Sequence, residues 1–233
     1  MILKDLPLTD HLDELRFRLI PAIVALFIFF FIGLLFSAPI LSKVNNDLLT
    51  ANVNLISVTP LEFIYTKIKV AFLFSVFITI PIIIYHALMF TKPALTKKEK
   101  KAIMLILPSF TLLFLIGASF AYFIFLKVAI YFLAKLSTGI ALNMWSINKF
   151  ITFVFVTCIS FGLVFQLPLF LLVLNKLNIV SIKTLRTKRK YVYVMAFLTA
   201  ALITPPDVIT QVLIAIPLIL LYEVSVLIVR VFN

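Results

Sequence analysis

The sequence is poor in charge, in glycine and in cysteine. Only 13% of the 233 residues are charged, four are glycine and one is cysteine. The glycine-rich signatures GxGxxG and GxxxxGK[ST] do not occur, which argues against nucleotide hydrolysis. Cys158 has no second cysteine to pair with, and His11 and His86 lie far from it in sequence. A metal site is therefore not expected. We predict no metal and no cofactor.

The chain is instead rich in long apolar runs, with 64% hydrophobic residues. A helix needs about 20 apolar residues to cross a hydrocarbon core. Six runs suit this role, at 19–36, 70–89, 102–126, 150–174, 191–203 and 208–229. They predict an all-α integral membrane protein with six transmembrane helices in a single domain, 1–233. The fifth run is short, so either its helix continues into the basic segment from Leu185 or the bilayer is locally thin there.

Lysine and arginine are distributed unequally between the segments that alternate across these runs. Fifteen of the 21 cations fall on the side that holds both termini and the segments around residues 92–101 and 176–190. The other six fall on the opposite side. By the positive-inside rule, both termini are cytoplasmic. The net charge of +12 is then a topology signal, and nucleic-acid binding is not expected.

Two acids lie in cytoplasmic segments and each has two possible roles. Glu14 is spaced for an i to i+4 pair with Arg18, which together with Arg16 could anchor the first helix. Glu99, the one acid among five lysines of segment 92–101, fits a capping box with Thr96. Alternatively, both carboxylates pair with guanidinium groups of a partner peptide.

A few polar residues interrupt or flank the apolar runs. Gln166 should face protein or water because a lipid-facing amide would be unpaired, and Pro168 should kink its helix. Glu223 lies near the cytoplasmic end of the last run, where pairing or a functional role would explain it. On the outer side, two segments carry helix-start signals, Thr59 to Glu62 and Thr204-Pro205-Pro206-Asp207, and Gln211 follows one turn after the second.

Several of these segments resemble the TatC family of twin-arginine protein translocases. The matching motifs are HLDELRFR at 11–18, FTKPALTKKE at 90–99, FG at 161–162, RTKRKYV at 186–192 and TPPD at 204–207. They occur in the family's order, and the resemblance extends from about residue 9 to 230. It implies a concave bundle of six helices that acts as the receptor for export of folded proteins across the bacterial inner membrane.

The resemblance also implies a site and partners. Signal-peptide binding would involve Glu14, Arg16, Phe90, Leu95 and Glu99. Polar contacts to partner helices or within the wall would involve Gln166, Thr204, Pro205, Asp207, Gln211 and Glu223. Single-span TatA- and TatB-type subunits would join a multimeric complex driven by the proton-motive force, surrounded by membrane lipid. Where the family commonly has glutamate in the fourth helix, this chain has Gln166.

Two other functions fit the sequence less well. A small-solute or ion transporter would carry several ionisable groups near the bilayer midplane, whereas this chain has chiefly Gln166 there. An intramembrane enzyme is disfavoured because the HExxH and GxSxG motifs are missing. The sequence thus predicts a non-enzymatic translocase receptor.

Overall fold

The fold is helical almost throughout. The computed structural model describes residues 8–49, 53–91, 97–136, 142–176, 179–203 and 208–231. Only the backbone is described for some helical residues near the starts of the first and third helices. Glu14 and Glu99 are among them. The helices are held together by packing of apolar side chains, as expected of a chain with so few charges.

The first two helices form a long antiparallel pair. Helix α1 spans Leu8–Leu48 and α2 spans Glu62–Thr91. They approach closely at Gly33, where an added Cβ would lie 2.9 Å from the backbone of Ala71. Helix α1 continues well beyond its predicted apolar run, because Leu41, Val44 and Leu48 form a buried stripe on its last turns.

The middle of the chain forms two further long helical segments. Helix α3 (Lys97–Phe120) passes through a π-helical turn (Ala121–Phe125) into α4 (Leu126–Leu136). Helix α5 (Ile147–Val164) is followed by a turn and by α6 (Leu167–Lys176). The interruption matches the predicted effect of Pro168, which has no N–H to donate to the preceding helical turn.

The last part of the chain contains shorter helices. Helix α7 spans Ile182–Thr187, α8 spans Arg189–Ile203 and α9 spans Val208–Val231. The chain leaves helical geometry at Lys188, so α8 does not continue back to Leu185 as one helix. Its 15 residues span only about 22 Å, less than the roughly 30 Å of a bilayer core.

Two short strands connect the segment that precedes α2 to the segment that precedes α5. Strand β1 (Asn54–Ile56) pairs in parallel with β2 (Met144–Ser146), with Asn54 opposite Met144. Because β1 is separated from α2 only by residues 57–61 and β2 runs directly into α5, the two helices start at the same end of the bundle. We call this the strand end, and the opposite end, where α1 starts and α2 ends, the basic end.

The class of fold predicted from the apolar runs is confirmed. Within the described residues, five helical segments are long and apolar enough to span a membrane: Arg16–Leu48, Glu62–Ala87, Leu107–Leu136, Ile147–Lys176 and Val208–Val231. The fifth predicted crossing, 191–203, corresponds to α8, which is too short to be counted among them. The number of crossings and their orientation stay predictions.

Candidate functional site

The basic end of the bundle contains a cavity between α1 and α2. Its volume is about 340 Å³. Leu19, Ala22, Ile23 and Leu26 form most of one wall, and Ile83 and Ala87 form the facing wall. Arg18 from α1 and His86 and Phe90 from α2 complete the lining. The cavity is therefore apolar with two basic side chains near Phe90.

The predicted signal-peptide residues lie on elements that meet at this end. Phe90 is half-buried in the cavity wall, and Arg16 is exposed on the first turns of α1. Glu14 lies on α1 one turn before Arg18, and Glu99 lies in the first turn of α3. The side chains of these two acids are outside the description, and Leu95 lies outside the described residues.

Sequence reasoning missed two contributors to this site. The sequence alone predicts Arg18 as an anchor of the first helix and gives His86 no role beyond that of an isolated, unsuitable metal ligand. On a helix, His86 is four residues before Phe90, so both side chains face the same way. That spacing was visible in the sequence, but the facing wall from α1 could be found only from the helix pairing.

Gln166 occupies the turn between α5 and α6. Its side chain is 8% exposed, as expected for a polar group that avoids lipid. Its backbone N–H donates to Leu163 and its carbonyl accepts from Phe170. Among the described residues, its Nε2 has no hydrogen-bond partner.

Glu223 is held in a polar cluster that joins α9 to α8. Its Oε2 lies 2.7 Å from Nη2 of Arg189, and its Oε1 accepts a 2.6 Å hydrogen bond from the hydroxyl of Tyr193. The neighbouring Tyr222 is buried and donates to the backbone carbonyl of Leu185 at 2.7 Å. These bonds attach the end of α9 to both α7 and α8.

At the other end of α8, Gln211 makes a similar connection. Its Nε2 donates to the carbonyl of Phe197 at 3.1 Å and so links α9 to α8. The remaining predicted residues of this turn, Thr204, Pro205 and Asp207, lie outside the described residues. Gln211 thus has a contact within the fold in addition to any contact with a partner.

A second polar cluster at the strand end was only partly anticipated. Glu62, predicted as part of a helix cap, is 8% exposed. It accepts hydrogen bonds from the backbone N–H of Val58 at 2.5 Å and from the hydroxyl of Ser146 at 2.6 Å. Two helical turns further along α2, Lys69 donates to Oδ1 of Asn148 and to the hydroxyl of Thr152. This cluster joins α2 to α5.

Comparison with known proteins gives a consistent result. The family model described as Sec-independent protein translocase protein (TatC) matches residues 10–217. The TatC protein of Aquifex aeolicus (strain VF5) is 40% identical over 225 residues, covering 95% of this chain and 93% of the relative. The TatC protein of Escherichia coli (strain K12) is 36% identical over 223 residues, covering 94% of this chain and 86% of the relative.

A solved structure shares the fold as well. A crystal structure of the twin-arginine translocase receptor TatC superposes with a TM-score of 0.86 at 38% sequence identity. The superposition covers 95% of this chain and 98% of that structure. The similarity therefore extends over the whole bundle, including the basic end and the strand end.

Proposed function

This chain belongs to the TatC family of Sec-independent protein translocase proteins, and we propose that its basic end binds the paired arginines of signal peptides. As a member of that family it is a receptor component of the twin-arginine translocase and not an enzyme. The binding residues that we propose are Glu14, Arg16, Phe90, Leu95 and Glu99.

The observation that carries this proposal is the convergence of three chain segments at the basic end. The first turns of α1 carry Glu14, the last turns of α2 carry Phe90, and the first turn of α3 carries Glu99. A carboxylate accepts two parallel hydrogen bonds from a planar guanidinium, and a lysine ammonium does not reproduce that geometry. Two carboxylates on adjoining elements suit a peptide with two consecutive arginines.

The cavity beside Phe90 supports the same proposal. Signal peptides carry an apolar segment after their basic residues. The cavity between α1 and α2 is lined mainly by apolar side chains and runs from Arg18 and Phe90 toward the middle of the bundle. An apolar side chain that follows the arginines could be buried there without leaving a polar group unpaired.

We propose further that the complex also contains single-span TatA- and TatB-type subunits. Helix α8 exposes an apolar stripe of Val194, Leu198 and Leu202, the last of which is 87% exposed. Spacing of four residues places these side chains on one face, as a contact with a partner helix requires. The multimeric complex would lie in the bacterial inner membrane, with both termini cytoplasmic and with energy from the proton-motive force. One six-helix domain, 1–233, would form each subunit.

A crosslinking experiment tests the binding site. A photoreactive amino acid at position 98, which leaves the carboxylates of Glu14 and Glu99 in place, is irradiated in native membranes with a signal peptide that carries Arg-Arg or Lys-Lys. We expect a strong crosslink with Arg-Arg that falls by about tenfold with Lys-Lys, the effect of losing one bidentate charge-assisted pair. Equal crosslinks with the two peptides, or none with intact protein, would contradict the proposal.

Matched variants separate binding from helix capping. Glu14→Gln, Glu99→Gln and Phe90→Ala should each weaken binding of the Arg-Arg peptide and leave membrane insertion unchanged. Asp13→Asn is the control, because Asp13 is an exposed acid next to Glu14 and is not part of the proposed site. If Glu99→Gln lowers only the amount of folded protein, Glu99 caps α3 and does not bind the peptide.

A further inference from the structure

A second cavity lies near the strand end, and the proposed peptide site does not use it. Its volume is about 470 Å³, and it lies between α1, α2, α3 and α5. Phe77, Leu115, Phe155 and Cys158 are among the apolar side chains that line it. The π-helical turn forms part of the wall and contributes Tyr122 and Phe123.

The polar residues that line this cavity are Lys43, Ser119 and Tyr122. Lys43, in the last turns of α1, lines the cavity, and its side chain is 76% exposed. Its Nζ lies 3.7 Å from Oδ2 of Asp47, one helical turn further along α1. Tyr122 donates a 2.8 Å hydrogen bond to the same carboxylate oxygen. We call Lys43 and Tyr122, together with Asp47 that both contact, the mouth of the cavity; it carries one cation and, one turn further along α1, one anion.

That order follows from the direction of α1. Helix α1 runs outward from the middle of the bundle to its end at Leu48, so Asp47 lies about 6 Å farther out along the helix than Lys43. Moving outward from the cavity, a ligand would meet an apolar wall, then a positive charge, and then a negative charge. A ligand that fits must carry an apolar chain, then an anionic group, and then a cationic group.

We propose that this cavity binds an acyl chain of an ethanolamine phospholipid, with the phosphate near Lys43 and the ammonium near Asp47. The acyl chain of the lipid places no polar atom against the apolar wall of the cavity. The phosphate and the ammonium each meet a group of opposite charge, and the ammonium can donate hydrogen bonds to the carboxylate. Choline lacks these N–H donors, and a glycerol headgroup has no positive charge, so both should bind more weakly.

A fluorescence experiment tests this lipid site in the purified full-length protein. Trp145 is the one tryptophan of the chain. Replacing it by phenylalanine and adding Phe155→Trp places a reporter in the cavity wall. The protein is reconstituted in nanodiscs that contain phosphatidylethanolamine or phosphatidylcholine with brominated acyl chains, which quench nearby tryptophan. We expect quenching to favour the ethanolamine lipid by about fivefold in apparent affinity, as one charge-assisted hydrogen bond at a wet site would give.

Three variants identify the source of that preference. The double variant Lys43→Asp/Asp47→Lys keeps an ion pair at the same spacing but reverses the order of the charges, so the preference should disappear. The melting temperature should fall only slightly, because position 47 no longer accepts the hydrogen bond from Tyr122. Lys135→Gln removes an exposed lysine of α4 outside the cavity and should leave the preference intact. A reporter at Leu220→Trp, on an exposed position of α9, should show no preference.

Each alternative gives a different result. Equal quenching by the two lipids, or a preference that survives the charge reversal, would overturn the proposal. A preference of equal size at Leu220→Trp would assign it to the lipid surrounding the whole protein. A reporter at position 155 that no brominated lipid quenches would mean that side chains or a partner helix fill the cavity.

Discussion

Glu62 connects two parts of the chain that lie far apart in sequence. Its carboxylate accepts from Val58 and, at 3.4 Å, from the N–H of Thr59, which closes the start of α2. The same carboxylate accepts from Ser146, 84 residues later, and from the N–H of Asn148. Since β1 and β2 have only three residues each, this acid supplies much of the polar contact between the two helix starts.

Replacing Glu62 should therefore loosen both helix starts together. Glu62→Gln removes the negative charge and turns an amide donor toward groups that themselves donate, so we expect a lower melting temperature in detergent. Ser146→Ala removes one hydrogen bond and should cost about 1 kcal/mol. Asp13→Asn, at an exposed acid, should leave the melting temperature unchanged. If the effects of Glu62→Gln and Ser146→Ala simply add in the double variant, the two side chains do not act as a pair.

At the scale of single residues, the sequence predicts local roles better than distant contacts. The spacing from Thr59 to Glu62 is enough to predict a helix cap, whereas Ser146 could not be named because its position depends on strand pairing. The same limit applies at the basic end. Family motifs point to Glu14, Phe90 and Glu99, while the contribution of Arg18 and His86 to a shared cavity depends on how α1 packs against α2.

Helices α3 and α5 approach each other closely at two glycines. A Cβ built on Gly162 would lie 2.5 Å from the ring of Phe114, a side chain with no exposed surface. On the facing helix, a Cβ on Gly117 would lie 2.7 Å from the carbonyl oxygen of Phe161. Small residues let helix backbones approach in this way, which increases van der Waals contact in a membrane protein.

We expect Gly162→Ala to separate these two helices slightly and to destabilise the protein. Overpacking of a tight contact costs roughly 1 to 3 kcal/mol, and here the neighbour is a buried ring with little room to move. Thermal unfolding in detergent measures the loss. Gly162→Ala combined with Phe114→Leu should recover part of it. Without such recovery, the cost arises from the backbone of α5 and not from the contact with Phe114.

Helix existence is well predicted from the sequence, and helix boundaries less so. Apolar runs identify the long helices, and Pro168 identifies the interruption between α5 and α6. The extension of α1 to Leu48 is amphipathic, so a search for uninterrupted apolar residues ends too early. The π-helical turn at Ala121–Phe125 has no signal in composition, because it depends on how the flanking helices pack.

For the whole molecule, the parallel pairing of β1 and β2 is the strongest constraint on topology. Parallel strands that each lead into a helix require α2 and α5 to enter the bundle from one side. The distribution of lysine and arginine predicts that this side is the outer one. The fold thus fixes which segments share a side, and the charge distribution predicts which side that is.

Cysteine labelling tests this topology. In a Cys158→Ala background, single cysteines are placed at exposed positions of the strand end, Val58 and Leu142, and near the opposite end, Lys183 and Val231. A membrane-impermeant maleimide should label positions 58 and 142 in cells with a permeabilised outer membrane, and positions 183 and 231 only in inverted vesicles. The reverse pattern at all four positions would mean that the bundle is inverted and the charge rule fails here. Labelling of positions 58 and 142 from opposite sides would contradict the parallel strand pair itself, because paired strands cannot lie on two sides of a membrane.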